Sequence, residues 1–245
     1  MICAIIIGCF SFLSLTAALA LHLNGKTEFD RTSFLFLVFA TLSMHGPILL
    51  ATAGFLQFRH IRWSEAFGFS TPGKGRAVLW GVFAALIFLP IGAATRLASV
   101  AFIDWINHVF HFHIDTDQAQ AAVVVLSNQQ TIASKIYASA FAIFLAPIAE
   151  EVLFRGILYP AIKQTGFPRV ALWGTAIAFG AIHTDLRIFL PLTILGLIQV
   201  YLYERNNNLL APIAAHSLFN AINVIFLYFA EDIGNFLYRL FHHQS

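Results

Sequence analysis

Apolar runs of about 20 residues, separated by short polar links, dominate this 245-residue sequence. Because a bilayer core about 30 Å thick is crossed by roughly 20 helical residues, each run is long enough to span a membrane. Hydrophobic residues make up 59% of the chain, only 11% are charged, and the mean hydropathy is +0.77. This composition excludes a soluble globular protein and predicts an all-α, polytopic membrane protein.

The apolar runs predict about seven transmembrane helices, within a range of six to eight. They cover residues 2–23, 32–58, 77–102, 136–163, 168–183, 188–203 and 209–229. The link at 59–76 carries four Lys or Arg and one Glu, and the positive-inside rule therefore assigns it to the cytoplasm. Residues 103–134 contain three Asp and no Lys or Arg, which predicts the outer face.

Other candidate sites are weaker. The net charge is only +2, and the basic residues are scattered, so no nucleic-acid partner is expected. Cys3 and Cys9 lie in the first apolar run without a CxxC spacing, and we interpret them as packing residues.

The spacing of His108, His111 and His113 could hold a metal, but the interleaved phenylalanines favour an interfacial amphipathic segment. His45, beside a Gly-Pro pair, is interpreted as a hydrogen-bonded kink residue rather than a ligand.

A few polar side chains interrupt the later runs: Glu150 with Glu151, His183, His216 and Asn220. Polar groups inside a membrane are costly and commonly functional. At 1.5 Å per residue, Glu150 lies roughly 20 Å and His183 roughly 22 Å from the cytoplasmic ends of their helices. His216 and Asn220 lie roughly 12 and 18 Å from theirs. We therefore predict that these side chains meet at similar depths on three helices.

Residues four apart share a helix face, and this spacing divides the polar side chains into pairs. Glu151 and Arg155 have the favourable carboxylate-first spacing and are predicted to form an internal ion pair. Glu150 then remains as the unpaired carboxylate. Phe179 can pack under His183, and His216 and Asn220 point the same way.

The predicted cluster favours water activation. A buried carboxylate can serve as a general base, and imidazole and amide groups can hold a water or stabilise an oxyanion. No serine elbow and no His-Glu-x-x-His motif occurs in the sequence. Glu150, His183 and His216 could also bind Zn²⁺ with an open position for water, so metal use stays open. A structural polar network that joins the helices is the simpler alternative.

The motifs Glu150-Glu151-x-x-x-Arg155, Phe179-x-x-x-His183 and His216-x-x-x-Asn220 occur in this order on three apolar runs. Together they resemble the motifs of the CAAX prenyl endopeptidase and bacteriocin-processing (CPBP, or ABI) family of intramembrane proteases. The resemblance covers about 136–229, and the N-terminal half shows no match.

This resemblance implies an endopeptidase that cleaves a membrane-associated protein or peptide at a site opening to the cytoplasm. It implies that Glu150 activates water with help from His183, and that His216 and Asn220 polarise the scissile carbonyl. Glu151 and Arg155 would support the site, with Phe179 packed beneath His183. No cofactor is certain, and zinc is possible; Asn220 is a poor zinc ligand and favours a metal-free mechanism.

We accordingly divide the chain into 1–134, the N-terminal helices and amphipathic connection; 135–230, the catalytic helix core; and 231–245, an interfacial tail. Two other functions use the same residues. A transporter or proton-coupled carrier would relay protons through them. A non-catalytic immunity or scaffold protein would bind a partner instead.

Overall fold

The computed structural model describes residues 34–114 and 121–242, and these residues form helices joined by short links. The predicted first span at 2–23, with Cys3 and Cys9, lies outside the described residues. The eight helices of the described ranges are α1 (Phe34–Phe58), α2 (Trp63–Ala66), α3 (Lys74–Phe110), α4 (Ala121–Ser127), α5 (Ile132–Gln164), α6 (Pro168–Ala181), α7 (Leu186–Asn206) and α8 (Leu210–His242).

Four of these helices are long and apolar enough to cross a membrane: α3, α5, α7 and the Leu210–Ala230 part of α8. In three of them only 28% of the most apolar 18-residue window is buried within the protein. The remaining apolar surface faces outward, as contact with lipid requires. The protein is therefore a polytopic α-helical membrane protein.

Two helix boundaries differ from the sequence prediction. Helix α3 continues to Phe110, beyond the predicted end at 102, and then stops at His111, which has a φ of 55°. Helix α6 has 14 residues and ends at Ala181, so His183 lies in the following turn. Helix α8 begins at Leu210, and its Leu210–Ala230 part agrees with the predicted seventh span at 209–229.

Helix α5 contains two π-helical segments, Phe141–Leu145 and Val152–Leu158, on either side of a short α-helical piece, Ala146–Glu151. Each π segment precedes a proline, Pro147 or Pro160. A proline ring lacks the N–H and displaces the carbonyl four residues earlier, and in both cases that carbonyl belongs to the π segment. The two prolines thus account for the irregular winding on both sides of the Glu-Glu pair.

Small residues allow close packing of α3 and α7 against their neighbours. A Cβ on Gly81 of α3 would overlap the carbonyl oxygen of Ala211 in α8, and Ala211 and Ala215 are fully buried. A Cβ on Gly196 of α7 would lie 2.9 Å from the Cα of Ala176 in α6. Backbones that approach this closely fix how each helix is rotated, and hence which side chains point inward.

Candidate active site

Glu151 and Arg155 form the predicted ion pair inside α5. Arg155 Nη1 donates to Glu151 Oε1 at 2.9 Å, and both side chains are fully buried. Arg155 Nη2 donates to the carbonyl of Gly196 in α7 at 3.1 Å, and its guanidinium lies 4.6 Å from the ring centre of Phe179. The pair therefore joins α5 to α6 and α7 as well as balancing its own charges.

His216 extends this network to α8. Its Nδ1 donates to Glu151 Oε1 at 3.0 Å, and the residue is only 4% exposed. Because a carboxylate accepts but cannot donate, this bond keeps a proton on Nδ1 and turns Nε2 toward Glu150. The rings of Phe179 and His216 pack edge to face with their centres 5.5 Å apart, which limits rotation of the imidazole.

Glu150 is the carboxylate that lacks an arginine partner. Its side chain is 13% exposed, and Oε2 lies 3.8 Å from His216 Nε2, too far for a hydrogen bond. Oε2 is buried without a hydrogen-bond partner among the described residues. The other oxygen, Oε1, lies 3.4 Å from Nε2 of His45 on α1. The two oxygens of Glu150 thus have different surroundings.

His183 lies at the start of the turn between α6 and α7. Its Nδ1 donates to the carbonyl of Phe179 at 2.8 Å, which leaves Nε2 unprotonated in the neutral ring. Phe179 also packs its ring edge against this imidazole, with the centroids 5.2 Å apart. Asp185 caps α7 and accepts 2.9 and 2.7 Å bonds from the Arg187 side chain, and this closes the turn that carries His183.

Asn220 lies one turn after His216 on α8, as the spacing predicts. Its Nδ2 donates to the carbonyl of Ala142 at 2.8 Å. Ala142 belongs to the first π segment of α5, where the wider winding leaves this carbonyl open to a partner from another helix. The amide is therefore anchored to α5, and its second N–H remains for another acceptor.

The possible metal ligands Glu150, His183 and His216 do not fit together as a metal-binding group. Across residues 34–114 and 121–242, no three His, Cys, Asp or Glu side chains are arranged to hold a metal ion. The Nδ1 atoms of both histidines already bond to protein oxygens, so only their Nε2 atoms could serve as ligands. We therefore derive no chemical step through a metal.

His45 is the site residue that sequence reasoning missed. It was interpreted as a hydrogen-bonded kink residue, and it does make a hydrogen bond, but its partner is Glu150. The depth argument could have found it, because His45 lies about 20 Å from the end of its helix at Phe58, the same depth as Glu150. The three motifs lie between residues 150 and 220 and do not include His45, which precedes Glu150 by 105 residues.

Comparison with known proteins agrees with the motifs. Residues 132–222 match the family model described as Type II CAAX prenyl endopeptidase Rce1-like. The chain is 29% identical over 164 residues to the "Putative membrane peptidase YdiL" of Bacillus subtilis, covering 66% of this chain and 61% of that protein. It is 31% identical over 86 residues to the "Uncharacterized protein YpbD" of the same organism, covering 34% of this chain and 41% of that protein.

The chain therefore covers less than two thirds of the length of either relative. No solved structure matches the chain. The matched segment contains the acidic pair, Arg155 and the later motif residues in order, and it begins after α1. Residues 132–222 of this chain are therefore similar to the Rce1-like type II CAAX prenyl endopeptidases.

Proposed function

We propose that this protein is an intramembrane endopeptidase that hydrolyses a peptide bond in a membrane-associated protein or peptide. The observation that carries the proposal is the environment of Glu150 Oε2. This oxygen is buried, has no hydrogen-bond partner among the described residues, and lies 3.8 Å from His216 Nε2. A water beside this pair would be within hydrogen-bond reach of both atoms and would satisfy the buried oxygen.

In the proposed reaction, Glu150 accepts a proton from this water as the oxygen attacks the scissile carbonyl carbon. The carbonyl π electrons move onto oxygen and form a tetrahedral oxyanion. When the intermediate collapses, the C–N bond breaks and the leaving amine takes the proton from Glu150. The products are one carboxylic acid and one amine, so the water is fully accounted for.

The neighbouring side chains have distinct roles. His183 assists by accepting a hydrogen bond from the water at its unprotonated Nε2. His216 polarises the carbonyl in its doubly protonated form, in which Nδ1–H donates to Glu151 and Nε2–H faces the substrate. The carboxylates of Glu150 and Glu151 lie 3.8 and 3.0 Å from this ring and offset its charge. The second N–H of Asn220 completes the oxyanion site.

Glu151, Arg155 and Phe179 support the site without touching the substrate. We further propose about seven spans and a site that opens to the cytoplasm. The chain would consist of N-terminal helices with an amphipathic connection at 1–134, a catalytic core at 135–230 and an interfacial tail at 231–245. Prenylated tails, peptide precursors and membrane-anchored regulators all fit the proposed substrate class.

The test compares the wild-type chain with E150Q and E65Q in proteoliposomes containing membrane-proximal peptides. E150Q removes the proposed base with little change in shape and is expected to lower kcat by about 10²–10⁴-fold. E65Q makes the same chemical change at an exposed Glu that pairs with Arg62 at the surface, and it should keep full activity. Full activity of E150Q would refute the proposal, and solute uptake lost in E150Q without any proteolysis would favour a carrier.

A further inference from the structure

We propose that His45 is a positioning residue for the proposed base: it holds one oxygen of Glu150 so that the other faces the water. The inference rests on the proposed function and deepens it by adding a residue from α1. His45 lies outside the segment 132–222 that matches the family.

In the contact between His45 and Glu150, the histidine is the hydrogen-bond donor. His45 Nε2 lies 3.4 Å from Glu150 Oε1, and the histidine is 6% exposed. Because an ionised carboxylate only accepts, Nε2 carries the proton and donates it. The opposite ring nitrogen, Nδ1, is buried and has no hydrogen-bond partner in the described part of the chain. The neutral ring protonated on Nε2 fits these surroundings best, because it leaves no unpaired donor at Nδ1.

The ring of His45 is itself held in place by α5. Its edge packs against Phe141 with the ring centres 5.0 Å apart, and Phe141 opens the first π segment. Helix α1 also packs against the Ala146–Glu151 piece that carries Glu150. Movement of the imidazole relative to the carboxylate is therefore limited from both helices.

A positioning role follows from the freedom of a glutamate side chain. The terminal torsion of Glu is broad, so its two oxygens exchange easily unless one of them is held. His45 is the hydrogen-bond partner of Oε1 in the described residues, whereas Oε2 has none there. Without His45, the carboxylate can turn away from His216, and a misplacement of about 1 Å can cost roughly 10²-fold in rate.

The test uses two variants of His45 that place a side-chain donor at different distances from Glu150. Gln places its amide nitrogen the same number of bonds from Cα as Nε2 of His, whereas Asn places it at the shorter distance of Nδ1. H45Q therefore keeps a donor within reach of Glu150, and H45N does not. Thr52 is a matched control because it is 3% exposed, lies two turns along the same helix, and donates its hydroxyl proton to the Ile48 carbonyl at 2.7 Å.

Steady-state peptidase kinetics of the full chain in proteoliposomes give the first readout. H45N should lower kcat about ten- to hundredfold with unchanged KM, and H45Q and T52V should stay near the wild-type kcat. A merely structural role would lower the amount of folded protein and would not separate H45Q from H45N. Wild-type kcat in H45N, or an equal loss in H45Q and H45N, would overturn the inference.

Thermal unfolding gives a second readout that does not depend on turnover. The loss of Tm in H45N/E150A should be smaller than the sum of the losses in H45N and E150A, because each single change removes one partner of the same contact. Additive losses would overturn the inference. The two proposals fail differently: an active E150Q refutes the peptidase mechanism and the His45 role with it, whereas an inactive E150Q beside a fully active H45N refutes the His45 role alone.

Discussion

At the scale of single residues, the buried charges have two distinct roles. Arg155 neutralises Glu151 and ties α5 to the Gly196 carbonyl of α7, while Glu150 keeps one oxygen without a protein hydrogen bond among the described residues. The close i, i+4 pair could be predicted because its geometry is internal to one helix. Burial of Glu151 and Arg155 is tolerated because each lies 2.9 Å from a group of opposite charge.

Substitution of Arg155 should therefore destabilise the protein. R155M leaves Glu151 buried without its cation, and we expect a loss of about 3–5 kcal/mol in the free energy of unfolding. The measurement is reversible unfolding in detergent micelles. E151Q/R155M removes both charges and should recover part of the loss, and a double variant less stable than R155M would contradict this account.

At the scale of secondary structure elements, Gly81 allows the close approach of α3 and α8. G81A would place a methyl group against the Ala211 carbonyl and against Ala214, and we expect a loss of about 1–3 kcal/mol. Gly75 lies on the same helix, and a Cβ added there would meet no atom within 4 Å, so G75A should be neutral or stabilise by up to about 1 kcal/mol. Equal stability of the two variants would show that the packing of α3 is looser than the structure indicates.

The turn that carries His183 is a second element with a testable role. D185A removes the α7 cap and the partner of Arg187, and should cost about 0.5–2 kcal/mol of stability together with a clear loss of kcat. T131A removes a comparable cap, in which Thr131 accepts from the Ser134 N–H at the start of α5. It should cost similar stability while leaving kcat unchanged. Parallel unfolding and peptidase measurements compare the two variants.

At the scale of the whole molecule, three polar segments meet at one end of the helices: the link at 59–76, residues 163–169 and residues 204–209. Lys163 pairs with Glu204 at 2.6 Å, and Asn208 donates to Thr71 at 3.1 Å. The backbone N–H of Leu209 also donates to the Phe67 carbonyl at 3.0 Å. This common end agrees with an alternating arrangement of spans, although the compartment it faces is still a prediction from the positive charges at 59–76.

Cysteine labelling tests that orientation. In a chain with Cys3 and Cys9 replaced, S70C and Q164C should react with a membrane-impermeant maleimide only after cells are permeabilised. S127C, in the predicted outer connection, should react on intact cells. All three native residues are exposed, so burial would not block the reagent. The reverse pattern would invert the topology, and labelling of all three from one side would contradict the predicted spans.

The apolar helical character and the Glu151–Arg155 pair could be predicted from the sequence, because helix periodicity and i, i+4 contacts depend only on nearby residues. The sequence prediction missed the π segments, since winding depends on how Pro147 and Pro160 are accommodated between neighbouring helices. The hydrogen bonds from His216 to Glu151 and from His45 to Glu150 were not predicted either. Those contacts depend on the tertiary structure, because close packing at positions such as Gly81 and Gly196 sets how each helix is rotated. Both glycines are far from Glu150 in the sequence.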